Sequence, residues 1–216
     1  MGISERRARE KKQRRTMIID AAENVFFAKG LDPSTMDDIA EKAELSKGTL
    51  YLYFKNKEDL YLALTHRSLE QLVGLFLEAV EKHVSGLDKV RAIGLAYMEF
   101  AKRHPDKLQS MLYFESLPSE FDEESANASA CAALGEKSIQ ILVGALQSGM
   151  EDGSIRKDID PHKAAVVLWA TSTGILQWIA TKYDHVSQKH DFFRFNSDQE
   201  ILDYYFLITG SALESR

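Results

Sequence analysis

The sequence predicts an all-α protein. Apolar residues recur at helical spacing along nearly the whole chain, and no segment alternates with the period of two that a half-buried strand requires. Cap residues punctuate the pattern at short intervals, which divides it into separate helices.

Ile18, Ala22 and Phe26 fall at i, i+4 and i+8, and Ile19 and Val25 widen the stripe. A first helix therefore ends at Lys29, and Gly30 follows as its C-cap. After the loop DPST, Thr35 is placed to cap a second helix, with Asp38 three residues on in a capping-box arrangement. Ile39, Ala40 and Ala43 mark its buried face, and the pattern stops at Glu44. A third short helix begins at Ser46 and buries Leu50 and Phe54. Asn56 caps a fourth, with Glu58 and Asp59 in the first turn, where they favour the helix dipole. It runs through Leu60, Leu64, Leu69, Leu72, Phe76 and Val80 until Gly86 breaks it. Further helices are expected over 87–103, 107–116, 122–150, 161–183 and 198–213, with Pro161 at a first helical position, where proline is tolerated. Residues 185–198 are expected to form an irregular connection containing buried aromatics.

The net charge of −6 is unevenly spread. Residues 1–15 carry +5, residues 1–60 carry +1 and the remaining 156 carry −7. A basic head on an acidic body is compatible with nucleic acid, since phosphate attraction depends on local charge density. The arm Arg6 to Arg15 serves equally well as a solvated segment or as a phosphate or minor-groove contact. One cysteine, Cys131, excludes an intrachain disulfide, and no apolar run reaches the roughly 18 residues of a membrane span. A cytoplasmic protein is expected.

The stretch LSKGTLYLYFKNKEDL, Leu45 to Leu60, carries the chemistry. Two helices of about eight residues flank a turn at Glu44-Leu45-Ser46, which makes a helix-turn-helix. The second helix of such a unit enters the major groove by its N-terminal residues. Gly48 near that start lets backbone approach DNA closely, at a helix-propensity cost of roughly 1 kcal/mol relative to Ala. Lys47 can reach a base edge or a phosphate, and Tyr51 and Tyr53 offer hydroxyls on rigid rings suited to phosphate oxygens. Lys55 and Lys57 lie at the next helix start, whose backbone N–H groups form another phosphate site. Thr35 either only caps its helix or also donates to the DNA backbone.

The segment TMDDIAEKAELSKGTLYLYFKNKEDLY resembles the DNA-binding segment of the tetracycline-repressor (TetR) family of bacterial transcription regulators. The likeness covers roughly residues 14–62, with its Thr-x-x-x-Ile-Ala, Ser-Lys-Gly-Thr-Leu-Tyr, Tyr-Phe and Lys-Glu-Asp-Leu elements in order. It implies a three-helix DNA-binding domain over 1–62 and a larger helical effector-binding and dimerisation domain over 63–216. It also implies a homodimer on a double-stranded operator, with repression relieved by a small molecule. The DNA-contacting set implied by position is Thr35, Lys47, Gly48, Thr49, Tyr51, Tyr53 and Lys57, and Ser46 and Lys55, at the two helix starts, are further DNA-binding candidates. The turn departs from the family pattern: Glu44 stands where glycine is most frequent, so a left-handed turn costs about 1 kcal/mol more.

The C-terminal body has no motif of comparable strength. Its histidines show no metal-ligand spacing, and neither a Gly-rich phosphate loop nor a nucleophile elbow is present, so no cofactor and no enzymatic activity are expected. An adaptor using the helix-turn-helix as a protein-binding surface would not need Gly48 or a lysine-tyrosine face. Aromatic and large apolar residues abound on the middle helices, and Tyr97, Phe100, Met111, Phe114, Trp169 and Gln177 are expected to supply part of an apolar effector pocket. The last two helices are apolar over most of their circumference and must be covered on several sides, as by a homodimeric four-helix interface.

Overall fold

The computed structural model describes residues 2–117, 125–181 and 197–215. These form helices α1 (Ile3–Lys29), α2 (Met36–Lys42), α3 (Lys47–Tyr51), α4 (Lys57–Glu81), α5 (Gly86–Arg103), α6 (Pro105–Glu115), α7 (Ala126–Asp152), α8 (Pro161–Thr181) and α9 (Asp198–Leu213). No strand occurs among the described residues; one isolated bridge joins Ile155 and Glu214. Most of the connection expected over 185–198 lies outside the described residues.

The chain divides into two compact units, Met1–Leu69 with Asp106–Ala133, and Glu70–Pro105 with Leu134–Arg216. The sequence expectation placed one boundary at 62/63, whereas α6 and the start of α7 pack with the N-terminal helices. Their anchors explain why. Tyr61 stands edge-on to Phe26 and to Tyr113, at ring distances of 5.1 and 5.2 Å. Asn127 Nδ2 donates to Asp59 Oδ1 at 2.7 Å, and the Cys131 thiol, fully buried, lies 3.4 Å from the Leu62 carbonyl. None of these pairings leaves a periodic trace in sequence.

In the first unit, Ile18, Ala22, Phe26, Ile39, Leu50, Phe54, Leu60 and Leu64 form the core, as their spacing predicted. The arm is helical: α1 extends back to Ile3 because Arg, Lys, Glu and Ala are good helix formers and Arg6 pairs with Glu10 one turn on. Gly30 takes φ +84° and its N–H closes α1 on the Phe26 carbonyl at 2.7 Å. Arg67 of α4 ties down α1 through Asp20 and Glu23.

In the second unit, Gly86 does not break a helix. It opens α5, behind the cap Ser85, whose hydroxyl accepts from Asp88 N. A Cβ on Gly86 would come within 1.9 Å of Gly149 N, so the glycine permits the close approach of α5 to α7. The Asp152 carboxylate accepts from Gly86 N at 2.7 Å, and Ser154 Oγ accepts from Leu87 N at 3.1 Å.

Candidate nucleic-acid interface and effector cavity

The turn between α2 and α3 ends in a left-handed residue. Glu44 has φ +54°, the one positive φ at a non-glycine position among the described residues. Its N–H donates to the Glu41 carbonyl at 3.0 Å, and Leu45 N–H donates to the Ala40 carbonyl at 2.9 Å. These two bonds are those of a Schellman motif with Glu44 in the position glycine prefers. They fix the angle at which α3 leaves α2.

Capping holds each neighbouring helix start. Thr35 Oγ1 accepts from Asp38 N at 3.1 Å, and Asp38 Oδ2 accepts from Thr35 N at 3.0 Å, the reciprocal capping box expected from sequence. Hydrogen bonds from Lys29 and then Thr35 hold the Asp38 carboxyl down at about 2. Ser46 Oγ accepts from Thr49 N at 3.1 Å, and Asn56 Oδ1 accepts from Asp59 N at 2.8 Å.

Gly48 is exposed, and a Cβ there would meet nothing nearer than 3.9 Å, the Ser46 hydroxyl. Its φ is not positive. Thus no internal packing or backbone demand requires a glycine inside this helix. Lys47 is half exposed beside it, and Asp37 at 2.8 Å raises its pKa further above the usual lysine value. Thr49 shares a hydroxyl contact of 2.8 Å with Ser46. Tyr51 is 48% exposed, while Tyr53 is half-buried against the core.

Lys57 is committed elsewhere. Its Nζ donates to the carbonyls of Leu31, Asp32 and Ser34 at 3.1, 2.8 and 3.4 Å, clamping the loop between α1 and α2. The Asp59 carboxylate accepts from Lys55 N at 3.0 Å, which places negative charge at the start of α4. One residue escaped the sequence reading. Leu52 is 79% exposed, off the Leu50–Phe54 stripe, and a helical wheel could have flagged it. Arg15 lies 5.1 Å over the Phe54 ring and donates to Asn127 Oδ1 at 2.9 Å, so the end of the basic arm is anchored.

The six expected pocket residues are not brought together. Tyr97 and Trp169 stack at 5.1 Å and line a cavity of the second unit with Phe76, Ile93, Leu168 and Phe206. Phe100 is buried but does not line it. Met111 and Phe114 belong to the first unit, and Gln177 is exposed. Aromatic content alone cannot tell one core from another, since each amphipathic helix buries such residues wherever its stripe faces. The cavity is small, ≈ 40 Å³. Arg91 stands at its wall, paired with Glu214 at 3.1 Å.

An all-α chain presenting an exposed, capped helix-turn-helix beside a basic helical arm has the architecture of a DNA-binding regulator. Residues 18–64 match the family described as bacterial regulatory proteins, tetR family, and residues 90–196 match a tetracyclin repressor-like C-terminal domain. The chain belongs to the TetR family of transcriptional regulators. It is 26% identical over 183 residues to the fatty acid metabolism regulator protein of Bacillus subtilis strain 168, covering 83% of this chain and 91% of that one. It is 30% identical over 155 residues to the transcriptional repressor KstR2 of Mycolicibacterium smegmatis, covering 68% and 70%. The crystal structure of FadR from Bacillus subtilis in complex with stearoyl-CoA shares the fold, with a TM-score of 0.69 and 22% identity over 91% of this chain and 98% of that one.

Proposed function

We propose that this chain is a homodimeric repressor that binds a pseudo-palindromic operator and is released from it by an apolar small molecule. The DNA contacts are assigned to Thr35, Ser46, Lys47, Gly48, Thr49, Tyr51, Tyr53, Lys55 and Lys57, within a reading domain of residues 1–62. Exposed, uncrowded Gly48 is the observation that carries this reading. A glycine in a helix that its own fold does not need is explained by a partner whose surface must come within a Cβ of the backbone. Lys57 acts here through the loop it clamps as well as through its charge.

The effector domain, 63–216, takes its ligand where Tyr97 and Trp169 stack. Space of ≈ 40 Å³ is far below the roughly 300 Å³ or more that a drug-sized ligand fills. An effector must therefore stabilise a more open form, and it lowers operator affinity by its preference for that form. A relative named for fatty acid metabolism, and a structural neighbour holding stearoyl-CoA, support an acyl chain as the apolar part. Arg91, on exchanging Glu214 for the ligand, suits an anionic head group.

Selection of bound duplexes from a random-sequence pool tests the first half. A palindrome whose affinity falls with salt and is lost in Gly48→Glu is expected; no enrichment by folded protein counts against it. Acyl-CoA esters of increasing chain length added to the selected complex test the second half. Release that strengthens with chain length is expected, and indifference to all of them overturns the acyl assignment.

A further inference from the structure

A second cavity lies in the first unit, remote in sequence from the stacked Tyr97–Trp169 pair. It is ≈ 350 Å³, enough for a small organic molecule. Phe26, Phe27, Tyr61 and Tyr113 supply aromatic walls, and Asp32 and Asp106 stand among its lining residues. Neither carboxylate has an ion-pair partner among the described residues. The nearby Lys57 ammonium is taken up by backbone carbonyls, and Lys107 faces Glu23 at 3.8 Å. Tyr61 is only 6% exposed, yet its hydroxyl has no hydrogen-bond partner among the described residues. Among the described residues no fully buried side-chain oxygen lacks a partner, so the Tyr61 hydroxyl keeps some access to open space, and Tyr61 is a lining residue of this cavity. A mostly buried phenol without a protein partner, in a residue that lines a cavity, is a polar group that a ligand can satisfy.

We propose that this cavity binds a small methylated ammonium compound carrying a hydroxyl or similar polar group. Aromatic faces attract a diffuse cation through their quadrupoles, and the Asp32 and Asp106 carboxylates, neither in an ion pair among the described residues, add a longer-range attraction. The Tyr61 hydroxyl meets the ligand's polar end. Burial, then Tyr113 and Asp106, push the Tyr61 phenol up to about 12, so it remains a neutral donor and acceptor across the physiological range. Gly30, Leu31 and Asp32 form one wall, which is the loop that Lys57 clamps. An occupant would therefore rest against the segment that leads into α2.

Choline and its uncharged carbon isostere, 3,3-dimethylbutan-1-ol, form a matched pair of probes for the full-length protein at fixed ionic strength. The expected result is saturable binding of choline, with an upfield ring-current shift of its methyl protons. The isostere should bind about ten-fold more weakly or worse, as loss of the cation's attraction to aromatic faces and carboxylates predicts. Asp32→Asn with Asp106→Asn, both at exposed positions, should remove most of that difference while the protein stays folded. Tyr61→Phe keeps both edge-to-face ring contacts and removes only the unpartnered hydroxyl, so it should weaken choline without weakening the fold. Equal affinity for the two probes, no saturable shift with choline, or a choline affinity untouched by the aspartate and Tyr61 variants would each overturn the proposal.

Discussion

At Gly48 and Glu44 the residue preferences of an isolated helix and of a working one diverge. Gly48 meets no steric or dihedral requirement, so Gly48→Ala should raise the free energy of unfolding by up to about 1 kcal/mol through helix propensity alone. In the proposed DNA complex the same methyl stands where the operator approaches, so operator affinity should fall. Denaturant unfolding and operator titration on one variant measure both, and a stabilised variant with undiminished operator affinity would remove the reason given for the glycine. Glu44 is the mirror case, a side chain where glycine fits. Glu44→Gly relieves the left-handed conformation at φ +54°, and after the entropy cost of a new glycine should stabilise by up to about 1 kcal/mol. Unchanged or lowered stability would mean that the Glu44 side chain contributes something the Schellman bonds alone do not.

Between residues and domains, the start of α2 is set by a charge and a clamp. Asp38 has a carboxyl held at about 2, against an ordinary 3.8, by Lys29 and Thr35. Because the folded value is depressed, its contribution is fully present above pH 4 and fades as pH falls from about 4 to about 2. Asp38→Asn should therefore flatten the decline of the denaturation midpoint across that window, and a parallel decline in both proteins would sink the assignment. The Lys57 clamp acts on the other side of the same loop. Lys57→Met should cost about 1–2 kcal/mol, the scale of hydrogen bonds made by a charged donor, and weaken operator binding beyond the loss of one charge. The sequence revealed most of this element: the Thr35–Asp38 box, the Ser46 and Asn56 caps and the buried stripes were legible because they obey fixed local offsets. Lys57 on the loop carbonyls, Gly86 against Gly149 and Tyr61 against Tyr113 were not, because each joins positions far apart in the chain. The candidate DNA face was readable from Lys47, Gly48 and Tyr51 for the same local reason. Which aromatic and apolar residues share one cavity was not, since Met111 and Phe114 share a composition with Tyr97 and Trp169 but not a core.

On the scale of the whole molecule, a single chain leaves large apolar side chains in water. Val166 and Val167 of α8 are 57% and 60% exposed, and Tyr204, Leu207 and Ile208 of α9 are 64%, 61% and 61% exposed. Five large apolar side chains on two helices are what a self-association face requires, and their exposure means that a charge there need not disturb the core. Leu207→Asp should consequently leave the helical signal and unfolding midpoint near those of the parent while the mass by light scattering falls to the 24.4 kDa of one chain. Its effect on DNA should be larger than a two-fold loss, because two linked heads bind a palindrome with the second contact made intramolecularly. The salt dependence separates this from local damage. Each phosphate neutralised contributes about −0.9 to the slope of log affinity against log salt, so a monomer that keeps an intact reading head should show roughly half the parent slope. A monomer with the full slope would mean that one chain makes all the phosphate contacts, and the paired-head reading of the operator would have to be abandoned.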